Sequence, residues 1–193
     1  MNAPPAPARR FPPDSITDPA QCLICHLDQA PDEAIVFRNE DWACEVAPGF
    51  EVPGWYFLRL RRHALGWAEL EPPELTAFGP VVQDLMGALE QAFGAPACYL
   101  MTFGEAYPHF HAVVTVRTED IPPESRSGNI LALRASRVDR AAALAHVPAV
   151  RATLAAVRDS SRRPAPTEPA PTELAPTELA PTEPAPPDTK RRQ

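Results

Sequence analysis

Gly104-Glu-Ala-Tyr-Pro108-His109-Phe110-His111-Ala-Val113-Val114 decides how this chain is read. A glycine-containing loop leads into Pro108, and an apolar run follows until the polar Arg117-Thr-Glu-Asp120. Phe110 to Val116 therefore reads as a strand. Side chains two apart on a strand share a face, so His109 and His111 point the same way. A neutral imidazole is nucleophilic near pH 7, and a covalent intermediate splits one hard step into two.

Ala97 to Phe103, just upstream, reads as another strand. Before it, Leu75, Phe78, Val82, Leu85, Met86, Leu89 and Phe93 recur at spacings of three and four, which predicts a helix over 72–93. Pro72 and Pro73 suit its first turn and Gly94 its stop. Pro80 lies inside and is expected to kink the helix or to mark its true start one turn later. Further upstream, Trp55 to Arg61 reads as a strand. Ala34–Arg38 and Trp42–Val46 form two more, joined by the turn Asn39-Glu40-Asp41. Downstream, 138–158 holds two short helical patterns separated at Pro148, either a cap on the domain or an arm for a partner. The order is strands, one long helix, then strands. It implies an α+β fold: a mainly antiparallel five-stranded sheet with one long helix, plus short C-terminal helices.

The 193-residue chain is not all of this kind, because its 26 prolines concentrate at the two ends. Residues 1–18 are rich in Pro, Ala and Arg. From about Ser160 the unit Ala-Pro-Thr-Glu repeats every five residues, ending in Lys190-Arg-Arg-Gln193. Neither end buries enough apolar surface to offset its ordering entropy, and the tail reads as an extended spacer. The expected division is a disordered 1–18, a domain over 19–135, a helical extension over 136–159 and a disordered tail over 160–193.

A net charge of −7 with no dense basic cluster argues against general nucleic-acid binding. Arg59, Arg61, Arg62 and Arg117 are the basic residues placed nearest a phosphate; a solvated strand edge is the other reading of each. No apolar run has membrane-spanning length and no signal peptide is evident, so a cytoplasmic location with reduced thiols is expected. Cys44 and Cys98 sit alone in strands and read as core. Cys22-Leu-Ile-Cys25 has the spacing of a zinc-chelating turn that needs two more ligands; a pair of apolar core cysteines is the alternative. With His26 the same residues spell the covalent c-type haem pattern, which requires export, and a dithiol redox centre would need a βαβ context that is lacking.

The segment from Gly104 to Val114 resembles the signature of the histidine-triad (HIT-like) family, His-x-His-x-His followed by apolar residues. Pro53-Gly-Trp-Tyr-Phe-Leu-Arg-Leu-Arg-Arg-His63 is similar to that family's Pro-Gly-His strand ending in a basic pair and a histidine. Cys22-x-x-Cys25 resembles the pair near the start of its zinc-bearing members. The long helix falls between these in the expected order, and the resemblance spans most of 22–128.

The resemblance implies a nucleotide phosphohydrolase or nucleotidyltransferase acting through a nucleotidyl-histidine. Its substrates would be dinucleoside polyphosphates, nucleoside phosphoramidates or related adenylates. His111 matches the attacking histidine. His109, Gly104, Glu105 and Tyr107 fall at substrate-binding positions, and Cys22, Cys25, His63 and His109 form the implied set for a structural zinc. A homodimer through the long helix and the strand ahead of the triad is implied too. The chain departs from the pattern at four places. Val113 stands for the third triad histidine, Trp55 for the upstream one, and Glu105 and Ala106 for the usual polar Gln and Ser. Val113 and Trp55 favour the alternative function, a catalytically weak or inactive nucleotide-binding or scaffold domain that keeps its zinc, whereas the intact His109-Phe110-His111 favours the enzyme.

Overall fold

A computed structural model of the protein describes residues 18–162. The stretches 1–17 and 163–193, which hold most of the two ends read above as disordered, lie outside the described residues. Five strands pair antiparallel throughout: β1 (Ile35–Arg38), β2 (Trp42–Glu45), β3 (Trp55–Leu60), β4 (Ala97–Met101) and β5 (His111–Arg117), in the spatial order β1-β2-β3-β5-β4. The fold is α+β, as the order of elements implied.

Register fixes which side chains share a face. Trp55 lies opposite Thr115, Phe57 opposite Val113 and Arg59 opposite His111, while the alternate pairs are Tyr56 with Val114 and Leu58 with Ala112. The two sets face opposite ways because the strand period is two. Trp42, Cys44, Tyr56, Leu58, Ala112 and Val114 form one buried face, covered by helices. His111, Phe57 and Val113 lie on the other, where Phe57 and Val113 pack under the short helical turns around Ile24 and Leu27 and under loops.

Helix α1 is the single turn Leu23–His26. Helix α2 spans Pro72–Phe93 and seats Val81, Leu85, Ala88 and Leu89 on the sheet. It opens with Glu71 and Glu74 accepting each other's backbone N–H groups, a reciprocal cap, and it stops at Gly94, whose φ of 57° is left-handed. The helix runs as one element through Pro80. Proline there deprives the Thr76 carbonyl of its N–H partner. Both residues are exposed, so solvent can reach that carbonyl, and the helix starts at Pro72, not near Pro80.

The chain continues through a 3-10 stretch, Ser127–Leu133, into α3 (Arg134–Arg137), α4 (Arg140–Ala145) and α5 (Val147–Arg162). Pro148 sits in the first turn of α5, where a missing N–H costs nothing, so the break falls one residue or so earlier than the proline. Val147, Val150 and Leu154 join the core beneath α2, and α5 extends to Arg162, past the boundary expected at 159. Residues 138–158 thus pack as a cap on the domain. No helix among the described residues is long and apolar enough to cross a membrane.

Candidate active site and metal centre

Cys22 caps α1, its Sγ accepting the Cys25 amide at 3.5 Å, which wraps both thiols onto one side of a single turn. The opposite pair of ligands comes from the ends of two neighbouring strands. Leu60 N donates to Phe110 O at 3.1 Å and Phe110 N to Ala64 O at 2.6 Å, zipping the residues after β3 to those before β5. His63 and His109 are thereby brought together, with ring centroids 5.1 Å apart. The ligating atoms of Cys22, Cys25, His63 and His109 all lie within 4.8 Å of one another.

These residues fit a tetrahedral cation. Zinc–sulfur and zinc–nitrogen bonds place neighbouring S and N atoms about 3.5 Å apart. The nitrogen Nδ1 of His109 lies 3.4 Å from Cys22 Sγ and 3.3 Å from Cys25 Sγ, and Nδ1 of His63 lies 3.3 Å from Cys25 Sγ. The tautomer of His109 fits as well. Its Nε2 is 2.7 Å from the Leu60 carbonyl oxygen, which can only accept, so Nε2 carries the proton and Nδ1 turns its lone pair to the thiols. Burial pushes His109 down to about 4, keeping the ring neutral. Burial, then the Cys22 neighbour, push the Cys25 thiol up to about 12, so a cation is what would make it a thiolate at neutral pH.

Beneath this cluster lies a buried ion pair. Arg59 is fully buried between Glu45 and Asp28, with Nη2 2.7 Å from Asp28 Oδ1. Arg61 also reaches Asp28, and Arg62 bonds Glu74 and Glu71. Three of the four arginines read from the sequence as nearest a phosphate, Arg59, Arg61 and Arg62, are thus engaged with carboxylates.

His111 begins β5 and is 8% exposed. Its Nδ1 lies 2.7 Å from the His109 carbonyl oxygen, so Nδ1 donates and the Nε2 lone pair is left free. The ring stacks on Phe57 at 5.2 Å, and the Tyr107 ring stands edge-on at 6.3 Å. Burial lowers its pKa, which favours the neutral, nucleophilic form.

Two cavities open beside His111. One, of about 350 Å³, is lined by Trp67, Phe103, Gly104, Glu105 and an edge of His109. The other, of about 250 Å³, is lined by Phe50, Trp55, Phe57, Tyr107, Val113 and Arg134. An apolar slot of about 340 Å³ follows, bounded by Leu23, Ile24, Leu27, Phe50, Phe57 and Tyr107. Gly104, at a φ of 75°, borders both cavities; Glu105 borders the first, and Tyr107 borders the second and the slot. His109 belongs chiefly to the thiol cluster. His26 lies outside that cluster, its ring bonding Ala20 O at 3.1 Å. Cys44 lies in the core under the helices and Cys98 packs against it. Sequence reasoning missed Arg134 and Phe50, which no motif marks.

No protein-family model matches the sequence, and no curated protein sequence matches it. Solved structures do resemble it. A histidine triad nucleotide-binding protein of Sulfolobus tokodaii is 16% identical, covers 71% of this chain and 94% of its own, and gives a TM-score of 0.57. A zinc-bound histidine triad family protein of Mycobacterium smegmatis is 17% identical over 74% of this chain and 99% of its own, at 0.53. A uridylyltransferase is 16% identical over 71% of this chain and 46% of its own, also at 0.53. The chain has the histidine-triad fold, and it carries a two-cysteine, two-histidine cluster beside the strand that bears His111.

Proposed function

We propose that the protein is a nucleotide phosphohydrolase or nucleotidyltransferase that works through a nucleotidyl-histidine on His111, with structural zinc held by Cys22, Cys25, His63 and His109. The observation that carries this is the state of the His111 ring. It is buried and neutral, tethered at Nδ1, and borders both cavities with Nε2 unengaged. That is the arrangement an imidazole nucleophile needs.

In this reading the apolar slot takes the nucleoside, since Phe57 and Tyr107 line both the slot and the His111 cavity. Nε2 attacks the α-phosphorus, and the bond to the leaving group breaks with its electron pair. Water or another acceptor then attacks the phosphorus, gives up a proton, and frees His111. Backbone amides of the Gly104–Pro108 loop are placed to donate to phosphate oxygens, Pro108 contributing none. Dinucleoside polyphosphates, nucleoside phosphoramidates and related adenylates are the substrates to try. Zinc would fasten the turn bearing Cys22 and Cys25 to the sheet.

Val113 and Ala106 remove polar groups from the phosphate's surroundings, so turnover is slow. Val113 and Trp55, each standing where a histidine was expected, favour the second reading, a nucleotide-binding or scaffold domain without catalysis. A homodimer through α2 and the edge strand β4 completes the reading. Leu75 of α2 is exposed, and β4 has a neighbour on one side alone among the described strands. The deciding experiment is mass spectrometry of protein incubated with adenylated substrates. An adduct on His111 supports the enzyme; a panel that yields none in the wild type returns the domain to the binding reading.

A further inference from the structure

The segment after the sheet delivers a cation to the site that no motif around His111 supplies. We propose that Arg134 grips the substrate phosphate beside His111; the inference rests on the nucleotide-binding reading above.

Ile130 packs against Val52 and Trp55, and Leu131 against the cluster that holds Phe57 and Val113. These contacts seat the 3-10 stretch on the His111 face of the sheet and bring Arg134 to the cavity. There its Nε donates to the Gly49 carbonyl at 2.6 Å, and its Cζ stands 3.8 Å above the centre of the Phe50 ring. The guanidinium plane is held by these two contacts. Its Nη1 and Nη2 groups have no hydrogen-bond or ion-pair partner among the described residues. Arg59, Arg61, Arg62, Arg137, Arg140, Arg151 and Arg158 each face a carboxylate instead.

The surroundings give that free fork its force. Phe50, Trp55, Phe57, Phe103, Val113 and Leu131 make the cavity wall mostly apolar, and Arg134 is the charged side chain on it among the described residues. A cation against a low-dielectric wall attracts an anion more strongly than one in open water. Two parallel N–H groups match two phosphate oxygens, and a position held in advance spends little entropy on binding. The cavity across His111 offers the carboxylate of Glu105 as its charged lining group, so the phosphate lies on the Arg134 side. Arg134 thereby supplies what Val113 and Ala106 withhold.

The test is calorimetric titration of the full chain with the four nucleoside 5′-monophosphates and their nucleosides. The wild type should bind at least one monophosphate more tightly than its nucleoside. Arg134→Gln should weaken that monophosphate by about 10- to 100-fold and leave the nucleoside unchanged. Arg134→Lys should recover part of the loss. As a readout that needs no variant, the monophosphate but not the nucleoside should protect Arg134 of the wild type from phenylglyoxal, followed by peptide mass spectrometry. Equal affinity for monophosphate and nucleoside, equal monophosphate affinity in Arg134→Gln, or absence of protection overturns the assignment. Should an adduct form on His111 while Arg134→Gln binds normally, the assignment falls and the enzyme stands. Should no adduct form while Arg134→Gln loses phosphate affinity, the catalytic reading falls and the phosphate site stands.

Discussion

The carbonyl oxygen of His109 lies 2.7 Å from Nδ1 of His111, so the residue whose ring faces the two thiols also anchors, through its backbone, the ring proposed to attack phosphate. Both imidazoles are held by main-chain oxygens, His109 by Leu60 and His111 by His109. Each bond fixes a tautomer, and the two fix opposite nitrogens. The Nδ1 of His109 is left to a cation and the Nε2 of His111 to a substrate. Displacing the His109 segment would move the acceptor that orients His111.

Protein purified without added metal should carry close to one zinc per chain by elemental analysis. Chelation should lower the melting temperature, since the turn bearing Cys22 and Cys25 would lose its tie to His63 and His109. Cys25→Ser should do the same and should slow adduct formation on His111 through the shared backbone. A stoichiometry near zero, with melting unchanged on chelation, would sink the metal centre.

Glu74 gives a pH signature. It accepts from Arg62 Nε at 2.8 Å and Nη2 at 2.7 Å, and from the Glu71 amide at 2.7 Å. The hydrogen bonds from Arg62, first among the causes, hold its carboxyl below the usual value of 4.5. A depressed carboxylate stabilises the fold fully above its unfolded value and loses that contribution as pH falls through its folded one. Glu74→Gln should therefore cost about 1 kcal/mol at pH 7, a drop of about 2–4 °C in melting temperature. The gap between variant and wild type should close as pH falls below about 4.5. A gap that persists undiminished well below that pH removes the charge from the explanation.

The third place of the triad can be refilled at a cost. Val113 is buried opposite Phe57 and packs with Cys22, Ile24 and Ala47. A larger, polar ring there overpacks the floor of the site by about 1–3 kcal/mol. Val113→His should melt several degrees lower yet form the His111 adduct at least as fast, because a polar ring returns to the same strand face. A variant as stable as wild type would mean the floor is looser than its burial indicates.

The strand from Phe110, the helix over 72–93 and the thiol pair were legible because each rests on local spacing. So was the meeting of His109 with Cys22 and Cys25, through resemblance to a known pattern. Other features depend on register and loop packing, which spacing does not encode. Arg59 reads as a phosphate ligand until the sheet is assembled. The β2–β3 register then sets it diagonally across from Glu45, and Asp28 closes the cage. Arg134 lies at the edge of what local patterns mark as the domain, and it meets Phe50 across 84 positions of sequence. The reciprocal cap of Glu71 and Glu74 is spelled by Glu-x-x-Glu ahead of an apolar run, but the intervening Pro72 and Pro73 are the stronger local signal of a first turn. At Pro80 the sequence shows the lost N–H but not that Thr76 and Pro80 lie on the exposed side of the helix.

His111 carries the decisive prediction. His111→Ala should abolish both adduct formation and hydrolysis of an adenylated model substrate, while the chain still folds cooperatively and keeps its zinc. The ring is stacked on Phe57 but lies outside the helix-covered core, so its loss leaves that core intact. Removing a nucleophile should lower the rate by about 1000-fold or to background, whichever is met first in a slow enzyme. The pH profile gives a second check. Attack requires the neutral ring, and burial lowers His111 from its ordinary value of 6.5. The neutral form therefore persists below that value, and the rate of adduct formation should stay level from pH 8 to about 6.5 and fall only in more acid solution. An acid limb centred above pH 7 would assign the titrating group elsewhere. Equal background rates for wild type and His111→Ala across several nucleotides, with no adduct on either, would leave a nucleotide-binding domain in place of the enzyme.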